Sequence, residues 1–350
     1  MAQEAARRRP SIHDVASRAG VSAATVSKVM HGVPTVKPEN ARRVFDAVEL
    51  LGYRVDPLAS DLRRARRRIV GAIVPEFESE FFGSMVTQLE RLAEQRGYAL
   101  VAASSRESEA REREILVRMH DWRVSGVVLA PVRNEHGPAA AFMKANGMTG
   151  VLIDRVLADD SFDTVSADSA AASAEVAREL VSRGHRHILV VGLGEQAATV
   201  RARLDGFRGR ALELAPDLRI DVILCESDVE PLRASLRDYF AKGERPTAVY
   251  SLFLKGTLVA LSEFRRRGWH CPGDISLVGF DDAEWMQATW PAIAAVVQPV
   301  RQIAIQAMDV LFRRIEGEEG PVRARLEPCR VLMRESVGPP ATGPRSAAVA

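Results

Sequence analysis

The apolar positions of this chain change their spacing at one point. Before residue 54 they recur three and four apart; from Ile69 onward they gather into short continuous runs separated by longer amphipathic stretches. The first regime predicts helices. Ile12, Val15, Ala16 and Ala19 share one face of a first helix, and Ala16 is small where a second helix must cross closely. Gly20 follows where a tight turn needs a positive φ. Ser22 then stands as N-cap of a second helix whose inner face is Val26, Val29 and Met30. A third helix, Pro38 to Leu51, carries Val44, Val48 and Leu51 on its apolar face with Phe45 beside them, and Gly52 closes it. Tyr53 is expected to pack back onto this three-helix unit. Between residues 54 and 68, Asp56 and Pro57 can open a short helix with Leu58, Ala59 and Leu62 on one side. Such a helix is too short to stand without a partner.

The second regime alternates strand and helix. Runs such as I-V-G-A-I-V, A-L-V-A-A-S, G-V-V-L-A-P and G-V-L-I-D read as buried strands, with helices at Phe82–Arg96, Glu109–Asp121 and Pro138–Asn146 between them. The pattern restarts after Asp163. T-V-S-A-D, H-I-L-V-V-G, R-I-D-V-I-L, T-A-V-Y-S and I-S-L-V-G-F-D alternate with helices at Ala170–Arg183, Arg201–Leu214, Glu230–Ala241 and Lys255–Arg267. Alternation of this kind implies parallel sheets covered by helices on both faces, here as two lobes in series. A late helix, Val300–Glu316, returns to the first lobe, and the last strands, near 322–334, join the second. The predicted organisation is therefore a basic tail (1–10), a helical head (11–54), a hinge (55–68), a body (69–338) and a disordered tail (339–350), the disorder beginning in S-V-G-P-P. Within the body, lobe one is about 69–163 plus 299–321, and lobe two about 164–298 plus 322–338.

Charge sharpens the contrast between head and body. Residues 1–68 hold 14 Lys and Arg against 7 Asp and Glu, whereas the remainder holds 34 against 39. A basic head on an acidic body is the footprint of a nucleic-acid module joined to something else. No run approaches the ~18 apolar residues of a membrane span, and M-A-Q-E-A-A-R-R-R-P lacks the apolar core of a signal peptide. A cytoplasmic, nucleoid-associated protein is expected. Cys225, Cys271 and Cys329 are odd in number and widely spaced, which suits ordinary thiols and no metal site. His185 and His187 read as turn residues. No Ser-His-Asp arrangement or phosphate loop stands out, and G-L-G-E-Q-A lacks the full dinucleotide fingerprint, so neither an enzyme nor a cofactor is expected.

The outer face of the second helix carries Ala23, Ala24, Thr25, Ser27 and Lys28, a set suited to entering a major groove. Lys28 can donate to guanine and the alanine methyls can meet thymine. Ser22, Thr25 and Ser27 suit phosphates, which set position rather than sequence. The fragments I-H-D-V-A, A-G-V-S-A-A-T-V-S-K-V-M-H-G, L-G-Y-R and L-A-S-D-L resemble the head and hinge of the lactose-repressor/galactose-repressor (LacI/GalR) family of bacterial transcription regulators. The resemblance implies that the hinges of two subunits pair on DNA, with Leu62 as a minor-groove wedge and Ala59 as its small neighbour, kinking the duplex. Val55-Asp56 stands where the family usually has Pro-Asn.

The body resembles the periplasmic-binding-protein-like effector domain of the same family, through I-D-R, R-x-R-L-x-G-F, D-I-S-L-V-G-F-D-D and V-V-Q-P-V. Two α/β lobes place a ligand cleft at the carboxyl ends of their strands. The resemblance carries effector contacts onto Phe81, Phe82, Asp168, Arg203, Tyr250, Phe253 and Asp281. Phe253-Leu254 replaces the family's usual Asn-Asp, Ser79-Glu80 its Asn-Pro, and Ser169 its Asn. Losing those polar partners points away from a simple sugar towards a less polar metabolite. The implied function is a regulator, acting as a repressor, that binds a palindromic DNA operator as a homodimer, because the family's tetramerising heptads are absent. A small-molecule effector, inducer or corepressor, would set its affinity. A constitutive or architectural DNA-binding protein is the alternative.

Overall fold

The computed structural model describes residues 10–30, 36–53, 68–133, 137–156, 159–193, 198–225 and 229–341. The chain divides into two compact units, residues 1–67 and 68–350. The hinge expectations, Ala59 and Leu62 among them, and the tail beyond residue 341 lie outside the described residues.

The first unit holds α1 (Ile12–Ala19), α2 (Ala23–Met30) and α3 (Pro38–Leu51). Ser11 and Asp14 close α1 with a reciprocal capping box: the Asp14 N–H donates to Ser11 Oγ at 3.3 Å, and the Ser11 N–H donates to Asp14 Oδ2 at 2.7 Å. Gly20 turns the chain at φ 63°. Ser22 caps α2, its Oγ accepting from the Thr25 N–H at 3.1 Å. Val15, Val26 and Val44 are completely buried where the three helices meet, with Ala16 and Ala47 filling the crossings. Each such valine contributes roughly 1.5–3 kcal/mol. Phe45 is 54 % exposed, not part of this face. It follows the buried Val44 by one residue, a rotation of about 100° on a helix, while Ala47 takes the inward position.

The second unit has two lobes, each built on a six-stranded sheet. Lobe one contains β1 (Ile69–Val74), α4 (Glu80–Gln95), β2 (Ala99–Ser104), α5 (Glu109–Asp121), β3 (Gly126–Leu129), α6 (Pro138–Ala145), β4 (Gly150–Ile153) and β5 (Asp163–Asp168). Lobe two follows with α7 (Ser169–Ser182), β6 (His187–Leu193), α8 (Ala198–Leu214), β7 (Arg219–Cys225), α9 (Val229–Ala241), β8 (Ala248–Ser251), α10 (Leu254–Arg266), β9 (Ser276–Phe280), the short α11 (Glu284–Ala288) and β10 (Ala294–Val297). The chain then returns to lobe one with α12 (Val300–Glu316) and β11 (Ala324–Pro328), and ends in lobe two with β12 (Arg330–Leu332). The sheet orders are β11-β5-β4-β3-β1-β2 and β12-β10-β9-β8-β6-β7. All pairings are parallel except β12 with β10.

Two assignments made from the sequence change. The strand at 163–168 belongs to lobe one, and so does 324–328; only 330–332 joins lobe two. Asp163 explains the placement. Its carboxylate accepts from Arg314 Nε at 2.8 Å and from the Arg323 N–H at 2.9 Å, tying the start of β5 to α12 and to the approach to β11. Strand–helix alternation does not reveal which sheet a strand enters, because both sheets ask for the same residues. The tail also begins later than S-V-G-P-P suggests. Ser336 is fully buried; its hydroxyl donates to Leu277 O at 2.7 Å and accepts the Ala294 N–H at 2.8 Å.

Three segments cross between the lobes: Asp168–Ser169, Gln298–Pro299 and the residues around Cys329. Arg203 owes its position to a close helix approach nearby. A Cβ on Gly206 would stand 2.3 Å from Ala170 O, so only glycine lets α8 lie this close to α7.

Candidate functional sites in the head and the cleft

In the head, the second helix turns Ala24 and Lys28 outward, one helical turn apart, with Ser22 exposed ahead of them. Ala23, Thr25 and Ser27 are half-buried, and Ala23 packs on the core. The Ser22 and Thr25 hydroxyls stand 2.9 Å apart. The face is thus a methyl and an ammonium flanked by hydroxyls.

In the body, the carboxyl ends of the strands bring three charged side chains together. Asp154 follows β4 in lobe one and Asp281 follows β9 in lobe two; both hold left-handed backbone, at φ 61° and 71°. Non-glycine residues there are strained, and such strain clusters at functional sites. Arg203, from α8, reaches both electrostatically. Burial pushes the Asp154 carboxyl above its ordinary range, Arg203 and Arg155 pull it back, and Asp281 pushes it further up. Burial raises Asp281 as well, opposed by Arg203 and by the Gln298 amide, which donates to Asp281 Oδ1 at 2.6 Å. Arg203 is itself buried; its Nη1 donates to Leu252 O at 2.7 Å and its guanidinium lies 3.6 Å over the Phe280 ring. Arg155 is spent elsewhere, forking onto Glu107 at 2.7 and 2.5 Å. At the margin, Lys255 of lobe two meets Glu76 of lobe one at 3.8 Å.

The other expected contact residues fall in different places. Phe81 and Phe82 are buried in the core of lobe one, their rings edge to face at 5.0 Å. Tyr250 is fully buried behind Arg203, its hydroxyl 2.7 Å from Ser173 Oγ and its ring against Phe207. These three are core residues here, because alternate residues of a strand or helix start face the sheet and its covering helix. Asp168 caps α7 by accepting the Ala171 N–H at 3.0 Å. Phe253 occupies the N-cap of α10 without a side-chain cap, and its ring lies over Gly256, where a Cβ would be 2.4 Å from the ring. Gln298, just past β10, was not singled out in the sequence, whereas Asp154 falls in the I-D-R fragment at the end of a strand that was.

At the opposite, amino ends of the lobe-two strands, His187, Asp221 and Glu244 come within the span of a metal site. Arg219 already bridges Asp221 and Glu244 at 3.0 and 2.9 Å, and Tyr239 donates to Asp221. The group supplies its own cation. His187 opens β6 and His185 is buried, so neither is a simple turn residue.

Comparisons with known proteins span both units of the chain. Residues 11–56 match the family model described as bacterial regulatory proteins, lacI family, and residues 177–337 match the periplasmic binding protein-like domain. The HTH-type transcriptional regulator KdgR of Bacillus subtilis (strain 168) is 30% identical over 338 residues, covering 93% of this chain and 97% of KdgR. PtxS of Pseudomonas putida is 28% identical, over 95% of this chain and 97% of its own. Among solved structures, a lac repressor dimer bound to operator and the anti-inducer ONPF superposes with a TM-score of 0.82 at 20% identity, covering 94% of this chain and 99% of that one. A CelR–cellobiose complex gives 0.70 at 26% identity, covering 94% and 100%. A lacI-type helical head followed by a two-lobed periplasmic-binding-protein-like body, matched to KdgR across nearly its full length, makes this chain a member of the LacI family of bacterial transcriptional regulators.

Proposed function

We propose that this protein binds a palindromic DNA operator as a homodimer in the cytoplasm, represses transcription there, and changes its affinity when a small molecule occupies the inter-lobe cleft. The outward face of α2 carries the proposal. Ala24 and Lys28 project together from a helix held rigidly by the Ser22 cap and the valine core. In this reading Lys28 donates to a guanine edge, Ala23 and Ala24 meet bases through their methyls, and Ser22, Thr25 and Ser27 hold phosphates. Ala59 and Leu62 would supply the minor-groove wedge.

Dimerisation has its own support. Trp290 is 97 % exposed and Leu258 51 %, and both line one groove with Leu261, Trp269 and Pro291 on the outer side of lobe two. Exposed apolar surface of this kind marks an interaction face, and two subunits are needed to place two heads on two half-sites. Effector control rests on Arg203, Asp281 and Asp154 converging from both lobes. A ligand preferring one lobe arrangement shifts the population of lobe states. Asp168 and Phe253 flank this cluster; Phe81, Phe82 and Tyr250 support it from the cores.

The test is selection of the full-length protein on a randomised double-stranded DNA pool at about 150 mM salt, where the phosphate-only component weakens. A two-fold symmetric motif is the expected result. Retention of DNA without an enriched motif, lost steeply with salt, would overturn the reading in favour of an architectural protein. That second reading is favoured by Phe253-Leu254, which offers a ligand no polar side chain, and it predicts that no small molecule alters DNA binding.

A further inference from the structure

Glu112 is a buried acid of lobe one that neither DNA nor the cleft cluster uses. It lies on α5 and is 1 % exposed. One helical turn further on, Ile115 and Leu116 pack with Ile73 of β1, Leu129 of β3 and Ala139 of α6. Its Oε1 accepts the Val132 N–H at 2.8 Å, which fastens the segment after β3 to the helix.

The charges around Glu112 do not balance. Arg155, which follows β4, attracts it, while Glu109 on its own helix and Glu107 in the turn between β2 and α5 repel it. Both cations nearby are already paired: Arg155 forks onto Glu107, and Arg133 Nε donates to Glu109 at 2.6 Å. From β1, β3 and α6 this part of α5 meets apolar side chains. Burial raises the Glu112 carboxyl to about 7 against the Val132 N–H and Arg155, with Glu109 and Glu107 adding to the rise. The turn beside it is strained. Arg106 and Glu107 hold left-handed backbone at φ 50° and 56°, which side chains other than glycine rarely adopt. The Arg106 N–H and Ser104 Oγ pin it there, both donating to Pro75 O, at 2.9 and 2.8 Å.

We propose that Glu112 makes the carboxyl-end rim of lobe one a proton-controlled clasp: with its proton on, the turn 105–108, α5 and the segment 130–133 are held together, and losing the proton loosens them. The ionised carboxylate is otherwise left among apolar side chains, facing Glu107 and Glu109, and parting these elements lets water reach it. Asp154 and Arg155 leave β4 beside the same clasp, so the lobe-one wall of the cleft loosens with it. A carboxyl that holds its proton more tightly in the closed clasp than in water favours the closed form at low pH. That preference is complete below 4.5, the ordinary value, declines as pH rises, and is gone above about 7.

Hydrogen exchange of the full-length protein tests this, read by mass spectrometry on peptides spanning 104–116 and 126–133 between pH 5 and 8.5. Glu112→Gln is the reference, because it keeps an oxygen for the Val132 N–H and carries no charge. Relative to that variant, exchange of the parent's two segments is expected to rise by up to about tenfold per pH unit between pH 5 and 7 and then to level off. The β9 segment, 276–280, is expected to show one pH profile in both proteins. Asp154 is present in both, so its own titration cancels. Glu107→Gln removes one repelling charge and releases Arg155 towards Glu112. It is expected to move the plateau to lower pH, and it preserves the test if Glu112→Gln folds poorly. Identical profiles in the parent and Glu112→Gln, or a plateau unmoved by Glu107→Gln, would overturn the proposal.

Discussion

Lys28 and His185 show how one side chain's surroundings set its role. Lys28 is exposed on α2 beside a methyl face, with no neighbouring acid on that face. Replacing it with alanine is expected to cost operator binding about 1–3 kcal/mol and to relax preference at one base position. A selection repeated on Lys28→Ala checks both, and an unchanged motif with uniformly weaker binding would make Lys28 a phosphate contact. His185 is the opposite case. It is fully buried, with Nδ1 2.9 Å from Thr247 Oγ1 and Nε2 3.0 Å from Gly338 O, and burial pulls it down to about 4. A depressed histidine binds its proton more readily in the unfolded chain. Its contribution is therefore intact above about pH 6.5 and is lost as pH falls towards 4, up to about 3 kcal/mol. Denaturant unfolding of the parent and of His185→Gln across pH 4–7 checks this: the parent's stability should fall more steeply on acidification. Equal slopes would sink the assignment.

Elements were legible wherever their apolar spacing was sustained. The helices Glu109–Asp121 and Val300–Glu316 occupy the residues their patterns mark. The five-residue α11 (Glu284–Ala288) was not seen, because one turn and a half carries too little periodicity to register. Sheet membership was misjudged at β5 and β11, where the deciding contact joins Asp163 to Arg314 and Arg323 across more than a hundred positions. Asp163→Ala removes a nearly buried carboxylate from a guanidinium and a backbone N–H, and is expected to destabilise the body by about 3 kcal/mol. Equilibrium urea unfolding checks this, and a loss under about 0.5 kcal/mol, the range of an exposed ion pair, would mean the strand is held mainly by its ladder.

For the whole molecule, the exposed Trp290 is the informative surface residue. Trp290→Glu places a charge in the groove it shares with Leu258. If two copies meet there, sedimentation will show a monomer where the parent is a dimer, and operator affinity will fall by more than tenfold because the half-sites lose their covalent-like coupling. A variant that remains dimeric with full DNA affinity would move the interface elsewhere.

The sequence by itself determined the helical head and the α/β nature of the body, because each follows from local spacing, caps and turns. The family resemblance named Arg203 and Asp281, which the structure brings into electrostatic contact with each other and with Asp154. Only the tertiary structure decided that Phe81, Phe82 and Tyr250 are core, that Asp154 joins Asp281 from the other lobe, and that Gln298 donates to Asp281. Those are facts of burial and of contact between distant segments. A strand end has the same local chemistry whether its side chain turns to the core or to the cleft, and the turn is set by what packs on the other side.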